Sequence, residues 1–439
     1  MSTETKLIEL EQPPVTERAV LARLVLPGDS ETEVEESLAE LRRLAWTAGA
    51  EVVATFVQRR GQVCPATHIG YGKVEQIRAA VDELEADFVV FDSELTPTQG
   101  SKLERALGVK VLDRTQLILD IFAQRARTNE GKHQVELAQL QYLLPRLTGH
   151  GAEMAKIRAG VGARGPGEQK LEVDRRGIRK RIDRLRSELE EIRKHRQTQR
   201  KRRTEGAVGT VALVGYTNAG KSSLLNALTR AGVFVEDKLF ATLDPTSRRC
   251  ALPGGGEAVI TDTVGFIRKL PHGLVAAFRA TLEEVKEADL ILLVVDVSDE
   301  SVDEQLNAVQ GVLEEIGATG RPMIRVYNKT DVACPDATRQ KLNAPGESVA
   351  VSARTSEGLP ELLTKIERHL AANRTRVMLR IPQEESQLAA RVYEWGRVFA
   401  RTYDENMIVL DAELDAPQLG AMKMYIVEQP DESNEHVRA

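Results

Sequence analysis

The sequence predicts an α/β protein of several domains. A phosphate-loop domain is preceded by a parallel α/β domain and a helical (coiled-coil) hairpin, and is followed by a small α+β domain. Three observations predict this. Residues 215–222 read Gly-Tyr-Thr-Asn-Ala-Gly-Lys-Ser, which fits G-x-x-x-x-G-K-[ST]. Residues 19–125 alternate apolar, β-rich runs with helical stretches, the pattern of a parallel sheet with crossover helices. Residues 126–205 carry helical periodicity instead. At 439 residues the chain is too long for one core, and about three or four domains are expected.

Residues 1–18 are polar and are expected to be disordered. In residues 19–125 the expected strands are Val20–Leu26, Val52–Val57, Phe88–Phe91 and Val109–Leu112. The helices between them are Glu31–Ala48, Lys73–Leu84 and Thr96–Leu107. Gly70-Tyr71-Gly72-Lys73 opens one of these helices. It either binds an anion or is a glycine turn, and it lacks full phosphate-loop spacing.

Residues 126–205 form the predicted hairpin. Its first helix, Gln134–Arg146, has apolar Val135, Leu137, Leu140, Leu143 and Leu144. Its second, Glu168–Gln199, repeats Ile178, Ile182, Leu185, Leu189 and Ile192 at coiled-coil steps. The joining loop, Gly149–Gly167, is rich in glycine and carries Lys156, Arg158 and Arg164. Loops of this length inside a domain are usually functional. Residues 175–203 hold fourteen Lys or Arg against four acids. A basic stripe beside a basic loop is a footprint for nucleic-acid phosphate. The alternative is a solvated helix face. Aromatic residues are scarce there, which favours backbone contact with structured RNA over base stacking.

Residues 206–373 hold the phosphate-loop domain. An apolar run, Thr210–Val214, precedes the loop, and Ser223–Leu228 opens a helix after it. Backbone N–H groups and a helix N-terminus can then surround a phosphate chain. Lys221 is placed to reach the β- and γ-phosphates and Ser222 to bind Mg²⁺. Tyr327-Asn328-Lys329-Thr330-Asp331 follows another apolar run and reads N-K-x-D. The Asp331 carboxylate can accept from guanine N1–H and its 2-amino group. Adenine lacks both donors and would leave a covered carboxylate unpaired. Lys329 would cover the base, and an N–H near Ala353 in Ser352-Ala353-Arg354 would meet guanine O6. The residues imply a guanine nucleotide, GTP or GDP.

Thr261-Asp262-Thr263-Val264-Gly265 ends a strand in D-x-x-G. Asp262 would hold Mg²⁺ through water, and the Gly265 N–H would sense the γ-phosphate. Phe240-Ala241-Thr242-Leu243-Asp244-Pro245-Thr246 reads as switch I, with Thr242 as the second hydroxyl on Mg²⁺ and Thr246 as runner-up. The expected nucleotide contacts are therefore Gly215, Tyr216, Thr217, Asn218, Ala219, Gly220, Lys221 and Ser222. Phe240, Ala241, Thr242, Leu243 and Asp244 join them, with Asp262, Thr263, Val264 and Gly265. Asn328, Lys329, Thr330, Asp331, Ser352, Ala353 and Arg354 complete the set at the base. No catalytic side chain is assigned. Lys221, Asn218 and Gly265 are the expected transition-state or γ-phosphate contacts. Phe266 stands where many small GTPases carry a water-orienting Gln, so hydrolysis uses another group or waits for a partner. Asn218 either helps hold a K⁺ ion or merely shapes the loop.

Residues 374–427 are expected to form an α+β domain, with strands near Val377–Ile381 and Met407–Leu414 and a helix over Glu385–Phe399. Residues 428–439 are expected to be disordered. The formal net charge of −6 says nothing about a nucleic-acid partner. Cys64, Cys250 and Cys334 are far apart and form no C-x-x-C pair, which argues against a disulfide framework or zinc site. No apolar run reaches membrane-spanning length. The expected compartment is the cytoplasm, with peripheral membrane association left open.

Several runs are more specific than the nucleotide motifs. They are Val111-Leu112-Asp113-Arg114-Thr115, Leu119–Ala126, Gln134–Ala138, Arg164-Gly165-Pro166-Gly167-Glu168 and Asp174-Arg175-Arg176. With the octet 215–222, Phe240–Thr246 and Asp262–Phe266, they make the whole chain resemble HflX, a family of translational GTPases of the Obg-HflX group. The resemblance implies a P-loop GTPase domain acting at the large ribosomal subunit and the 70S-type ribosome. It implies that residues 149–167 reach rRNA and that stalled or idle ribosomes are separated under stress. A monomer is expected. Gly167-Glu168-Gln169-Lys170-Leu171-Glu172 departs from the more usual G-E-T-Q-L-E of the family. A ribosome-assembly or tRNA-modifying GTPase is the alternative, as is an RNA-binding module with a structural nucleotide.

Overall fold

The computed structural model describes residues 17–147, 166–204, 209–229, 239–268, 279–299, 301–318, 320–333, 341–342, 346–371 and 374–428. Of the ends expected to be disordered, residues 1–16 and 429–439 lie outside the described residues, whereas Glu17, Arg18 and Glu428 belong to strands; most of the glycine-rich loop 149–167 and Cys334 also lie outside. Chain contacts divide the molecule into two units, 1–124 with 138–181 and 125–137 with 182–439.

The first unit is built on four parallel strands, β1 (Glu17–Val25), β2 (Ala50–Arg59), β3 (Phe88–Phe91) and β4 (Lys110–Asp113), in the order β2-β1-β3-β4. Crossover helices α1 (Glu31–Ala48), α2 (Tyr71–Glu83) and α3 (Pro97–Leu107) connect them. Ser30 and Glu33 cap α1 reciprocally, as Thr96 and Gln99 cap α3. Val20, Phe91, Ile77 and Leu103 fill the core between sheet and helices. Gly70 is the N-cap of α2 without a side-chain cap, and its N–H donates to Gln58 Oε1 at 2.7 Å. A fourth helix, α4 (Arg114–Arg125), follows β4 directly and was not among the expected elements. Leu117, Ile118, Ile121 and Phe122 give it a buried stripe.

The junction of β4 and α4 explains the run Val111–Thr115. The Asp113 Oδ1 atom accepts from Gln116 N–H at 3.0 Å, while Oδ2 accepts from Leu95 N–H and Arg146 Nη2 at 3.1 and 3.0 Å. Arg114 turns inward. Its Nη1 donates to Asp92 Oδ1 at 2.7 Å and its Nη2 pairs with Glu40. Arg23 Nη1 and Ser37 Oγ donate to Asp92 Oδ2 at 2.7 and 2.8 Å. Two arginines and two carboxylates are thus buried together, and removing one partner strands the others without water.

The second unit contains a mixed six-stranded sheet. Its strands are β5 (Gly209–Gly215), β6 (Thr246–Ala251), β7 (Glu257–Asp262), β8 (Leu290–Asp296), β9 (Met323–Asn328) and β10 (Ser348–Ala350). The order is β10-β9-β8-β5-β7-β6, with only β6 antiparallel to its neighbour. Helices α7 (Lys221–Thr229), α8 (Arg279–Glu287), α9 (Val302–Glu315) and α10 (Leu359–Ala371) belong to this domain. Leu213, Leu225, Ile260, Leu292, Val326 and Ile366 lie in its core. The C-terminal ends of β5, β7 and β9 carry the three nucleotide motifs.

The helical region comprises α5 (Asn129–Arg146) and α6 (Pro166–Thr204), each longer than its periodicity indicated. The seam residues Ile178, Ile182, Leu185, Leu189 and Ile192 are all shielded, with Ile182 and Leu185 buried. Glu130 pairs with Arg196, and His133 faces Glu188, so the two chains run antiparallel there. The C-terminal sheet, β11 (Arg374–Pro382), β12 (Arg397–Asp404), β13 (Met407–Asp415) and β14 (Ile426–Glu428), is antiparallel in the order β12-β13-β11-β14. With α11 (Ser386–Trp395) and α12 (Ala416–Ala421) it is a β-α-β-β-α-β unit of ferredoxin-like order. The helix expected to continue to Phe399 ends at Trp395, and Arg397–Phe399 belong to β12. Among the described residues no helix is long and apolar enough to cross a membrane.

Arg114→Ala is expected to destabilise the first unit by about 3–5 kcal/mol. Urea unfolding followed through Trp46 in a Trp395→Phe background measures it. An unchanged midpoint would show that the buried cluster carries no stability.

Candidate functional site

The loop between β5 and α7 forms as its glycines dictate. Gly220 has φ +90°, and a Cβ there would overlap the Asn328 amide. Asn328 uses that closeness, its Nδ2 donating to Ala219 O at 2.9 Å. The base motif is therefore tied directly to the phosphate loop. Lys221 is buried at the first turn of α7, with Nζ donating to Gly215 O and Tyr216 O at 3.1 and 2.8 Å. Burial brings this ammonium down to about 8, against the opposing pull of the Asp262 carboxylate.

Three oxygens converge beside it. Ser222 Oγ and Thr242 Oγ1 donate to Asp262 Oδ2 at 2.6 and 2.9 Å and lie 2.7 Å from one another. They come from α7, from the segment before β6 and from the end of β7. Asp262 is fully buried, and burial pushes its carboxyl up while Lys221 and the two hydroxyls oppose the shift. Its other oxygen, Oδ1, is buried with no hydrogen-bond partner, as is Thr217 Oγ1. Hard oxygens around an unsatisfied carboxylate suit a small divalent cation. Thr242, rather than Thr246, meets this cluster; Thr246 lies in β6.

Gly265 packs against the loop, its ideal Cβ position 2.8 Å from Thr217 Cα and 3.0 Å from Lys221 Nζ. The next residue, Phe266, is buried and pairs by its backbone. Its N–H donates to Gly215 O at 3.1 Å and its carbonyl accepts from Thr217 N–H at 2.7 Å. Phe266 thus fastens the D-x-x-G segment to the phosphate loop. Thr263 is buried with its hydroxyl on Leu213 O, and Val264 is buried too. Phe240, Ala241 and Asn218 line the same cavity as Lys221 and Thr242, while Leu243 is buried.

At the base end, Ser352 Oγ donates to Asp331 Oδ1 at 2.7 Å, and Arg354 Nη2 lies 2.5 Å from Oδ2. The Ser352 hydroxyl is the main reason the Asp331 carboxyl sits below its ordinary range. Arg354 is 73% exposed, so its pairing is weak and open to exchange. Two further contacts order this end. The Ala353 N–H donates to Asn328 Oδ1 at 3.0 Å. Lys329 Nζ pairs with Asp296 Oδ2 at 2.7 Å at the end of β8. Thr330 joins through its backbone, donating to Val351 O at 3.3 Å. Asp244 has partners remote in sequence. Its carboxylate engages Arg127 and Thr128, residues that no local signal linked to the site. Tyr216 supports the second switch, its hydroxyl accepting from Arg268 N–H at 2.6 Å.

Comparisons with known proteins show the family. Family models match four consecutive stretches: "GTP-binding GTPase N-terminal" at 35–123 and "GTP-binding GTPase Middle Region" at 125–203. "50S ribosome-binding GTPase" matches 210–329 and "HflX C-terminal domain" 337–436. GTPase HflX of Caldanaerobacter subterraneus subsp. tengcongensis is 48% identical over 413 residues, covering 94% of either chain. The chain belongs to the HflX family of GTPases. GTPase HflX of Escherichia coli K12 is 45% identical over 86% of this chain and 88% of its own. A solved GTP-binding protein of Sulfolobus solfataricus in complex with GDP is 27% identical, with a TM-score of 0.44, covering 81% of this chain and 99% of its own. As an HflX-family member the protein binds guanine nucleotide and hydrolyses GTP.

Asp331→Asn is expected to weaken GTP binding about 10- to 100-fold and to narrow the preference over ATP, because an amide offers a donor where an acceptor is required. Competition of each nucleotide against a fluorescent GTP analogue measures both. An undiminished preference for GTP would place guanine selection elsewhere.

Proposed function

We propose that this HflX-family GTPase binds the large ribosomal subunit in its GTP state and separates stalled or idle ribosomes into subunits in the cytoplasm. Hydrolysis then releases it. The observation that carries the proposal is the match to HflX outside the GTPase domain, through the N-terminal, middle and C-terminal regions. Ribosome-assembly and tRNA-modifying GTPases share the phosphate loop and N-K-x-D, so those motifs alone leave the alternatives open. The name of the model matching residues 210–329, a 50S ribosome-binding GTPase, supports the large subunit as partner. The positive surplus on α6 supports contact with rRNA phosphate. Exposed Arg176, Arg179, Lys180, Arg184 and Arg186 carry this charge outward. Arg193 and Arg196 are set apart by their pairs to Glu283 and Glu130, so they hold the protein together.

Ser222 Oγ and Thr242 Oγ1 would hold Mg²⁺ directly and Asp262 through water. The convergent oxygens and the unpartnered Asp262 Oδ1 fit that ion. When bound, Mg²⁺ neutralises charge on the β- and γ-phosphate oxygens. Lys221 supplies the positive charge from the protein itself. Thr242 and Gly265 stand on separate segments lining the same cavity as Lys221, so a γ-phosphate that engages both draws the two switches together, and its loss frees them. Buried Phe266 cannot orient water through a polar side chain, so ribosomal stimulation of turnover is expected. Asn218, held at φ +63°, is a candidate K⁺ ligand. Faster turnover in KCl than in NaCl would support that role, and equal rates would leave Asn218 as a loop-shaping residue.

Lys221→Ala is expected to weaken GTP binding at least about tenfold and to abolish subunit splitting. Sucrose-gradient analysis of purified ribosomes, with GDP against a non-hydrolysable GTP analogue, checks it. Retention of both activities by the variant would overturn the mechanism. Pelleting with large subunits should show GTP-analogue-dependent binding that falls steeply with salt.

A further inference from the structure

Asp244 grips the start of α5. Its carboxylate accepts from Arg127 N–H and Thr128 N–H, each at 2.9 Å, and from the Thr128 hydroxyl at 2.5 Å. The same hydroxyl accepts from Gly131 N–H at 3.0 Å, so Thr128 caps α5 while holding Asp244. A carboxylate at a helix N-terminus also meets the positive end of the helix dipole.

Gly131 makes the fit possible. It is buried within α5, and a Cβ there would overlap Asp244 Oδ1. Glycine is a poor helix former, and this one has no positive φ to justify it. Room for the carboxylate is what the missing side chain provides. The abutment is itself fixed. Neighbouring Glu130 pairs with Arg196 at 2.5 Å, and Arg193 and Arg196 reach Glu283 and Glu284 of α8 at 2.9 and 3.8 Å.

Thr242 lies two residues before Asp244, which is no more than about 7 Å of extended chain. Pro245 disfavours helical backbone at Asp244 and stiffens the link. We propose that Asp244 is a positioning residue for GTP hydrolysis, and that its docking on Thr128 and Gly131 holds Thr242 against Ser222 and Asp262. The start of the helical hairpin is then part of the GTP-bound arrangement. Whatever orders that helix raises GTP affinity, and GTP in turn orders the helix. The inference rests on the reading of Thr242 as a magnesium ligand given above.

Gly131→Ala is the informative variant, because alanine favours the helix and overlaps the Asp244 carboxylate, with the Thr128 hydroxyl the next group at 3.2 Å. Affinities for GDP and for a non-hydrolysable GTP analogue are measured by fluorescence, and hydrolysis at saturating GTP by single turnover. Gly131→Ala and Asp244→Asn should each weaken the GTP analogue about fivefold or more, leave GDP within about twofold, and slow saturated hydrolysis. Thr128→Ser keeps every donor and should match the parent, whereas Thr128→Val should follow Gly131→Ala. Equal losses for both nucleotides, or parental behaviour of Gly131→Ala, would overturn the assignment. Thr242→Ala separates the two readings. If it too leaves the GTP-to-GDP ratio unchanged, the magnesium reading fails. If it alone changes that ratio, only the positioning role of Asp244 fails.

Discussion

A carboxylate sealed from water governs this molecule. Asp262 is completely buried at the end of β7, and a buried charge is tolerated only with partners. Ser222 and Thr242 supply hydrogen bonds to one oxygen and Lys221 adds a nearby positive charge, and each comes with its own constraint. Lys221 and Ser222 begin α7, so the phosphate loop must end where it does. Thr242 belongs to the segment entering β6, so that segment must return across the site. The second oxygen is buried without a hydrogen-bond partner. Nucleotide binding and loop position are thus one electrostatic problem.

The charges of the helical hairpin divide according to what lies opposite them. Near its base, Arg193 and Arg196 meet carboxylates of α8 and α5 and fasten the hairpin to the GTPase domain. Earlier in α6, Arg176, Arg179, Lys180, Arg184 and Arg186 are exposed. Composition alone weighed the whole stripe as one surface. The partition follows from geometry, since partly buried ion pairs hold elements together while exposed charges remain open to a polyanion. Asp244 adds a second tie between the same helices and the switch that carries Thr242.

Much of the fold could be read locally. Helix α1 has the bounds its caps and apolar spacing indicate, and Phe88–Phe91 is a strand because four apolar β-formers sit between turn signals. The phosphate loop and N-K-x-D were equally legible, because phosphate and guanine demand particular atoms at fixed spacing. Other elements were not. Strand β12 is an edge strand exposed from Phe399 onward, so it lacks the apolar alternation that marks a half-buried strand. Helix α4 follows β4 without a loop, and its start was hidden behind the Asp113-Arg114 turn.

The sequence by itself determined the guanine-nucleotide chemistry, the parallel N-terminal sheet and the apolar seam of the hairpin, since each is written in residues near one another along the chain. Only the tertiary structure decided which donors serve the site. It gave the Ala353 N–H to Asn328, Lys329 to Asp296, and Asp244 to a helix start more than a hundred residues earlier. Hydrogen-bond partners are set by distances of about 3 Å in space, and contacts between remote segments leave no periodicity for a sequence to display.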